Sequence, residues 1–501
     1  MSRLLLALLV LTLPSSATAR ILRPCHTPHL AEGFVRPAGP AQIPMASRDK
    51  DARDPYGVPN EALTENFAVR WGDGWTPNTA GLAVLAEALE DAWQTQIVAM
   101  DHPAPWSTST TRMNVYIGDT GGGTPSAFGA GGYFTPDEQG YPMLVVANPS
   151  LDEPSWTRVV AIHEFYHSVQ WGLDTYSYSE EEPGAWYWEA TASWIPGIVD
   201  PESPANATFL FGFALAANLP LDAFDYPDAG ELQEYHQYGA MIFPTYLSEQ
   251  VADWQPVRNS WVAPAGGTAD PIEALRGELA DLGLDFDAVF VDFVAHNVFW
   301  DYVHGAAYEY IVDGGRQAFP GTDDVTEWVT EEGSVTISPS DRPQRYGSNT
   351  VRFDLPAGLW QLDLQLDEDG SSGSTASWGA TLVRRSGDVI TYEPVPIMQG
   401  AATVELQADG DDLGLSVAAW AGPRIDGERF GWGLTTTWLA AGDDDDDDAA
   451  DDDDATFPVG DDDDSGFVGS GCGCDAARGS RAAGWLLIPL LALTARARRR
   501  P

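Results

Sequence analysis

The chain is poor in three things, and each scarcity excludes a class of protein. Only 3 of its 501 residues are cysteine, Cys25, Cys472 and Cys474. That is too few for the disulfide framework of many small exported domains, so stability must come from packing and from any bound metal. Basic residues are outnumbered 26 to 75 by acidic ones, giving a formal net charge of -49. Nucleic acid is thereby excluded as a partner, because its phosphates would be repelled. Long hydrophobic runs are also missing. The apolar stretches Leu4 to Leu13 and Ala482 to Ala495 both fall short of the ~20 residues that a spanning helix needs.

What is present describes a globular protein with appendages. A hydrophobic content of 44%, with 19 Trp, is enough to fill the cores of two or three domains. Residues 1–19 combine Arg3, an apolar core and the small-residue site Ala17-Thr18-Ala19, the pattern of a signal peptide, so the chain is expected to be exported. Residues 20–64, rich in Pro, Ala and Arg without periodicity, read as an extended leader. Its Cys25-His26-Thr27-Pro28-His29 segment carries donors that would suit an inhibitory prosegment, although a free thiol in a leader is the plainer reading. At the other end, Asp443 to Asp448, Asp451 to Asp454 and Asp461 to Asp464 repel one another, so 442–470 reads as an extended linker. Ca2+ would associate with these runs only loosely, since they lack the Gly-x-Asp periodicity of a built calcium repeat.

The chemistry centres on Val159-Val160-Ala161-Ile162-His163-Glu164-Phe165-Tyr166-His167-Ser168-Val169-Gln170-Trp171, a buried helical pattern containing His-Glu-x-x-His. Residues four apart share a helix face, so His163 and His167 can direct ring nitrogens at one metal ion with Glu164 beside them as a general base. A hydrolytic zinc site takes three protein ligands and one water. The third candidate is Glu189, the single carboxylate of the aromatic stretch Ala185 to Pro196, a helix expected to stop at Pro196. Burying that glutamate alone would be costly, and metal coordination removes the cost. The alternative is a glutamate paired with an arginine or left at the helix surface.

With His-Glu-Phe-Tyr-His-Ser-Val-Gln-Trp-Gly followed by Trp-Tyr-Trp-Glu-Ala-Thr-Ala-Ser-Trp, the sequence resembles the gluzincin-type zinc metallopeptidases, and more narrowly the secreted metallopeptidases of myxobacteria. The resemblance runs from Glu65 to Val312 and extends toward the β-rich region beyond. It implies His163, His167 and Glu189 as ligands of one Zn2+, Glu164 as the catalytic base, a zincin-like domain, and a sheet edge that receives a peptide or protein substrate as an added strand. One position departs from the thermolysin-like pattern. Ser193 stands one turn after Glu189 where an aspartate is common, and a serine would polarise a ligand histidine less strongly. For the donor that stabilises the oxyanion, the order of preference is Tyr238, then Tyr235, then His236; each would serve equally well as core packing.

Before the motif, Phe67 to Trp71, Met113 to Ile117 and Tyr141 to Asn148 pattern as strands, Asn78 to Met100 as an amphipathic helix, and Gly121 to Gly132 as a flexible loop. Either the Tyr141 strand or one near Gly131-Gly132-Tyr133-Phe134 would form the sheet edge. Tyr235 to Phe243 begins another buried helix, and helical patterns run through Asp270 to Val312, where His296 and His304 read as structural. Short alternating strands fill 333–440 at the spacing of a β-sandwich. The tail, 471–501, joins Gly471-Cys472-Gly473-Cys474 to a short apolar run and an arginine cluster. It resembles the C-terminal sorting signal of myxobacterial surface proteins, which implies processing machinery as a partner and membrane contact through this segment alone; a simple tail anchor is the alternative.

The expectation is therefore an α+β protein: a zinc metallopeptidase domain over 65–320, a β-sandwich, an acidic stalk and surface display. A surface binding or adhesion protein with a structural zinc clamp is the rival reading, and a hydrolase of non-peptide amides is a third.

Overall fold

The computed structural model describes residues 50–439, apart from 128, 130, 180–181, 225–231, 265–266, 320–325, 368–375 and 422–426. The signal peptide, leader residues 20–49, the Asp-rich linker and the C-terminal segment lie outside the described residues.

The N-terminal part is a small sheet backed by helices. Strands β1 (Asn60–Leu63), β2 (Phe67–Trp71), β3 (Met113–Gly118), β4 (Gly132–Pro136) and β5 (Pro142–Ala147) lie in the order β1-β2-β3-β5-β4. The central pairs β2–β3 and β3–β5 are parallel, whereas β1 and β4 run antiparallel to their neighbours at the two ends. The sheet edge left open between two candidates is thus β4. The sheet also takes in residues assigned above to the leader: β1 pairs with β2, and Asp51 bridges to Thr111. A four-residue strand is too short to show periodicity in sequence.

Helix α1 (Thr79–Trp93) is capped by Asn78, whose side chain accepts from the Gly81 N–H, and passes into a π-helical turn over Gln94–Ala99. Helix α2 (Pro154–Leu173) carries the His-Glu-x-x-His motif. Pro154 presets its first turn, Glu153 accepts from the Trp156 N–H, and Asp174 ends it at φ 57, in the left-handed region. It is buried on all sides from Val159 to Trp171, as expected of a helix enclosed between a sheet and other helices. Helix α3 (Ala185–Val199) follows and packs against α2. Pro196 does not stop it; the helix continues to Val199, and the Asp200 N–H bonds the Pro196 carbonyl.

The remaining helices are α4 (Leu210–Ala214), α5 (His236–Gly239), α6 (Ile242–Tyr246), α7 (Gln255–Val262), α8 (Pro271–Asp281), α9 (Phe286–Asn297) and α10 (Gly305–Ala318). The helix expected from Tyr235 to Phe243 is in fact broken into α5 and α6, with 3-10 turns before α5. All contribute to one large core that also includes Phe67, Phe165, Trp186, Trp194 and Trp261. Among the described residues no helix is long and apolar enough to cross a membrane.

The C-terminal strands form two facing sheets. One has the order β11-β10-β13-β8-β6 and the other β12-β9-β14-β7, built from β6 (Thr326–Val329), β7 (Gly333–Thr336), β8 (Gly347–Phe353), β9 (Gly358–Leu366), β10 (Ala376–Ser386), β11 (Val389–Pro394), β12 (Ala401–Ala408), β13 (Asp412–Ala421) and β14 (Trp432–Leu439). Alternate residues such as Leu362, Leu364, Val351 and Leu415 point inward to a separate core. The protein is therefore α+β, with a C-terminal sandwich. The sequence pattern missed β6 and β11, short edge strands whose side chains are mostly exposed or half-buried.

The sandwich packs directly on the helices. Gly379 in β10 and Gly414 in β13 let α9 approach so closely that an added Cβ would meet Val291 at 2.3 Å and Val298 at 2.5 Å. Tyr392 stacks on His296 with ring centroids 4.5 Å apart and donates to Asp301, and Phe299 lies beneath the guanidinium groups of Arg352 and Arg385.

Candidate metal centre

Helical spacing and the packing of α3 on α2 bring three side chains to one point. His163 Nε2 and His167 Nε2 are 3.1 Å apart; Glu189 Oε2 is 3.3 Å from the first, and Glu189 Oε1 is 3.6 Å from the second. Ligands about 2.0–2.1 Å from a tetrahedral zinc stand roughly 3.3 Å from one another, so these separations are of the size such an ion requires, with one Glu189 oxygen facing each imidazole. The alternatives for Glu189, a surface position or an arginine partner, do not describe it: it is fully buried and faces the two imidazoles. Beyond its 3.3 Å contact with the His163 ring, its Oε2 has no hydrogen-bond partner among the described residues, leaving buried acceptor capacity for a cation. The donor set and this orphaned oxygen fit a zinc ion.

Glu164 completes the group, its carboxylate lying within 4.8 Å of both histidine nitrogens and buried with them. Gly132, the first residue of β4, lies directly over it. A Cβ there would meet Val160 at 2.9 Å and the Glu164 Cγ at 3.0 Å, so only glycine lets the edge strand approach the carboxylate this closely. The segment expected to be a flexible loop thus ends in the strand that covers the site.

Electrostatics follow burial and pairing. Burial by itself would raise the Glu189 pKa, but His167 and His163 outweigh it and hold the carboxyl well below its ordinary range. Burial lowers the His163 pKa against the opposing pull of Glu189. For His167 burial also acts downward, yet Glu189, Glu164 and Gln170 together raise it.

His167 Nδ1 is 2.6 Å from Gln170 Oε1, and Gln170 is fixed in turn by donating to the Trp188 carbonyl and to Thr191 Oγ1, both at 3.0 Å. His163 is bonded by the Ala192 backbone, whose raising effect on the ring identifies the carbonyl as acceptor. That carbonyl is available because Pro196, four residues on, has no N–H to offer it. Ser193 is buried next to Ala192. Tyr178 donates a 2.6 Å hydrogen bond to Glu189 Oε1. Sequence reading missed Gln170, Tyr178 and the Ala192 carbonyl; only Gln170, one helical turn after His167, had a local signal.

Of the three oxyanion candidates, Tyr238 is in ring contact with the centre, its centroid 6.4 Å from that of His163. Tyr235 stacks on Phe209 at 5.4 Å, and His236 packs on Phe213 at 5.1 Å. His296 bonds the Asp292 carbonyl and His304 the Pro201 carbonyl, both away from His163, His167 and Glu189 in sequence and contact.

Among solved structures, the pre-peptidase C-terminal domain of a collagenase from Bacillus anthracis is similar at 10% identity over 22% of this chain and 94% of its own, with a TM-score of 0.15. A GH115 4-O-methyl-α-glucuronidase with specificity for decorated arabinogalactans is similar at 9% identity over 58% of this chain and 40% of its own, with a TM-score of 0.14. No curated protein sequence matches. A family model does match, over residues 36–408, a span that contains the whole centre described above, and the chain belongs to that family, DUF6055, a family of unknown function.

Proposed function

We propose that the chain is an exported, zinc-dependent hydrolase of peptide bonds. The observation that carries the reading is the cluster of His163, His167 and Glu189, whose donor atoms approach at 3.1, 3.3 and 3.6 Å, with a second buried carboxylate, Glu164, beside it. Two imidazoles and one carboxylate form the donor set of hydrolytic zinc sites, which keep a fourth position open. A zinc ion held there would polarise a substrate carbonyl and acidify water. Glu164 takes the proton from the attacking water and returns it to the leaving amine. The outer side of β4 offers backbone groups to an extended substrate, which supplies affinity with little sequence selectivity. Tyr238, beside His163, is the donor proposed for charge developing on the carbonyl oxygen. The proposed site of action is the cell surface or medium, with the tail as anchor.

The test joins zinc analysis of the purified protein to digestion of a broad peptide library. Wild type should carry about one equivalent of zinc and cleave. Glu164→Gln, nearly equal in volume, should keep the zinc and lose activity by roughly a hundred- to ten-thousand-fold. A zinc-loaded wild type as inert as the variant would replace this reading with that of a surface binding protein using zinc as a clamp.

A further inference from the structure

The two oxygens of Glu189 are held differently. Oε1, although only 3.6 Å from His167 Nε2 and so within reach of the same ion, accepts the 2.6 Å hydrogen bond from Tyr178. Oε2 accepts none from a described residue, is buried, and lies 3.3 Å from His163 Nε2. Tyr178 comes from the segment between α2 and α3 and is half-buried, with its ring edge-on to Trp188 at 5.2 Å and to Phe224 at 5.9 Å. Those contacts hold the ring where its hydroxyl reaches Oε1.

A carboxylate beside zinc can coordinate through one oxygen or through two. Two-oxygen coordination fills a position that a reacting water needs. A hydroxyl bonded to one carboxylate oxygen stabilises the lone pair there and opposes its turn toward the metal. Building on the zinc reading above, we propose that Tyr178 is a positioning residue that restricts Glu189 to coordination through Oε2 and so keeps the fourth position open for water.

Removing only the hydroxyl tests this, because Tyr178→Phe keeps the ring and its packing. Zinc content, X-ray absorption of the bound zinc, and kinetics on a cleaved peptide would be compared in the full-length mature protein. Wild type should show about four nitrogen or oxygen neighbours and Tyr178→Phe about five, as Glu189 turns to bind through both oxygens. The variant should keep its zinc while kcat falls about 10–100-fold with KM little changed. Cobalt(II) substitution gives a second readout: visible absorption should weaken in the variant as coordination rises. Four neighbours in the variant would overturn the proposal, whether turnover is unchanged or lost, the latter assigning the hydroxyl to the substrate. Loss of zinc would overturn it too, by making the bond a determinant of affinity. A wild type without zinc would instead show that the zinc reading itself is wrong.

Discussion

His102 and His236 are buried histidines outside the metal centre, and they make stability depend on pH. Burial, with Arg258 adding to it, lowers the His102 pKa to about 3, and neither ring nitrogen bonds a described residue. Burial lowers His236 to about 4 against an opposing Ala223 backbone bond. In the unfolded chain both would take up protons as pH falls through about 6.5. Because the folded chain withholds them down to about 4 and about 3, protons favour unfolding across that window, and stability present above pH ~6.5 is lost as pH falls. Each histidine contributes about 1.4 kcal/mol per pH unit within its window. Thermal melts of chelator-treated protein from pH 7 to pH 4 should therefore slope downward, and His102→Phe, which preserves a ring against Tyr166, should flatten the slope by one histidine's share. An unchanged slope would mean that His102 takes up its proton in the folded chain as readily as in the open chain. Residue identities gave no warning of this, since burial of a lone histidine depends on what packs over it.

At the scale of elements, α3 carries a proline that costs the helix a hydrogen bond and gives the site an acceptor. The Ala192 carbonyl, unclaimed by Pro196, bonds His163. Pro196→Ala restores the missing N–H, and a proline inside a helix costs about 3 kcal/mol. Two effects of opposite sign are expected: metal-free protein should melt higher, while zinc affinity should fall about tenfold as the carbonyl is shared with the helix. Calorimetry and chelator competition measure the two, and a parallel rise in both would show that the carbonyl serves His163 no better through the proline. The motif helix α2 was legible because its signal is local, a continuous apolar run around the His-Glu-x-x-His spacing. Continuation of α3 past Pro196 was not, because a proline's cost is outweighed only by packing on both sides, which local sequence does not contain.

For the whole molecule, the sandwich and the helical part are one mechanical unit. Tyr346 at the start of the sandwich sits in the main core, bonded to Asp287 and ringed by Phe286 and Phe290, and backbone bonds join 217–221 to 344–348. Unfolding should therefore be a single calorimetric transition, and a chain ending at residue 320 should fail to fold because it exposes the apolar side of α9. Two separated transitions, or a soluble folded fragment, would show the halves to be independent. The expected β-sandwich was legible as a run of short alternating strands, but its role as a wall of the helical core was not. Gly379 and Gly414 carry no signal of their own in the sequence, and their purpose exists only once Val291 and Val298 lie against them.

Sequence by itself determined what depends on neighbours along the chain. A four-residue spacing put His163 and His167 on one helix face with Glu164 between them, and alternation set the inward side of each sandwich strand. Tertiary structure alone decided what depends on contacts across it: that Glu189 faces the two imidazoles at 3.3 and 3.6 Å through its two oxygens, that β4 lies over Glu164 at Gly132, and that Tyr178 reaches one of those oxygens. The physical reason is that a ligand's identity is a property of one side chain, whereas its position is a sum over the packing of several elements, of which each local segment carries only its own part.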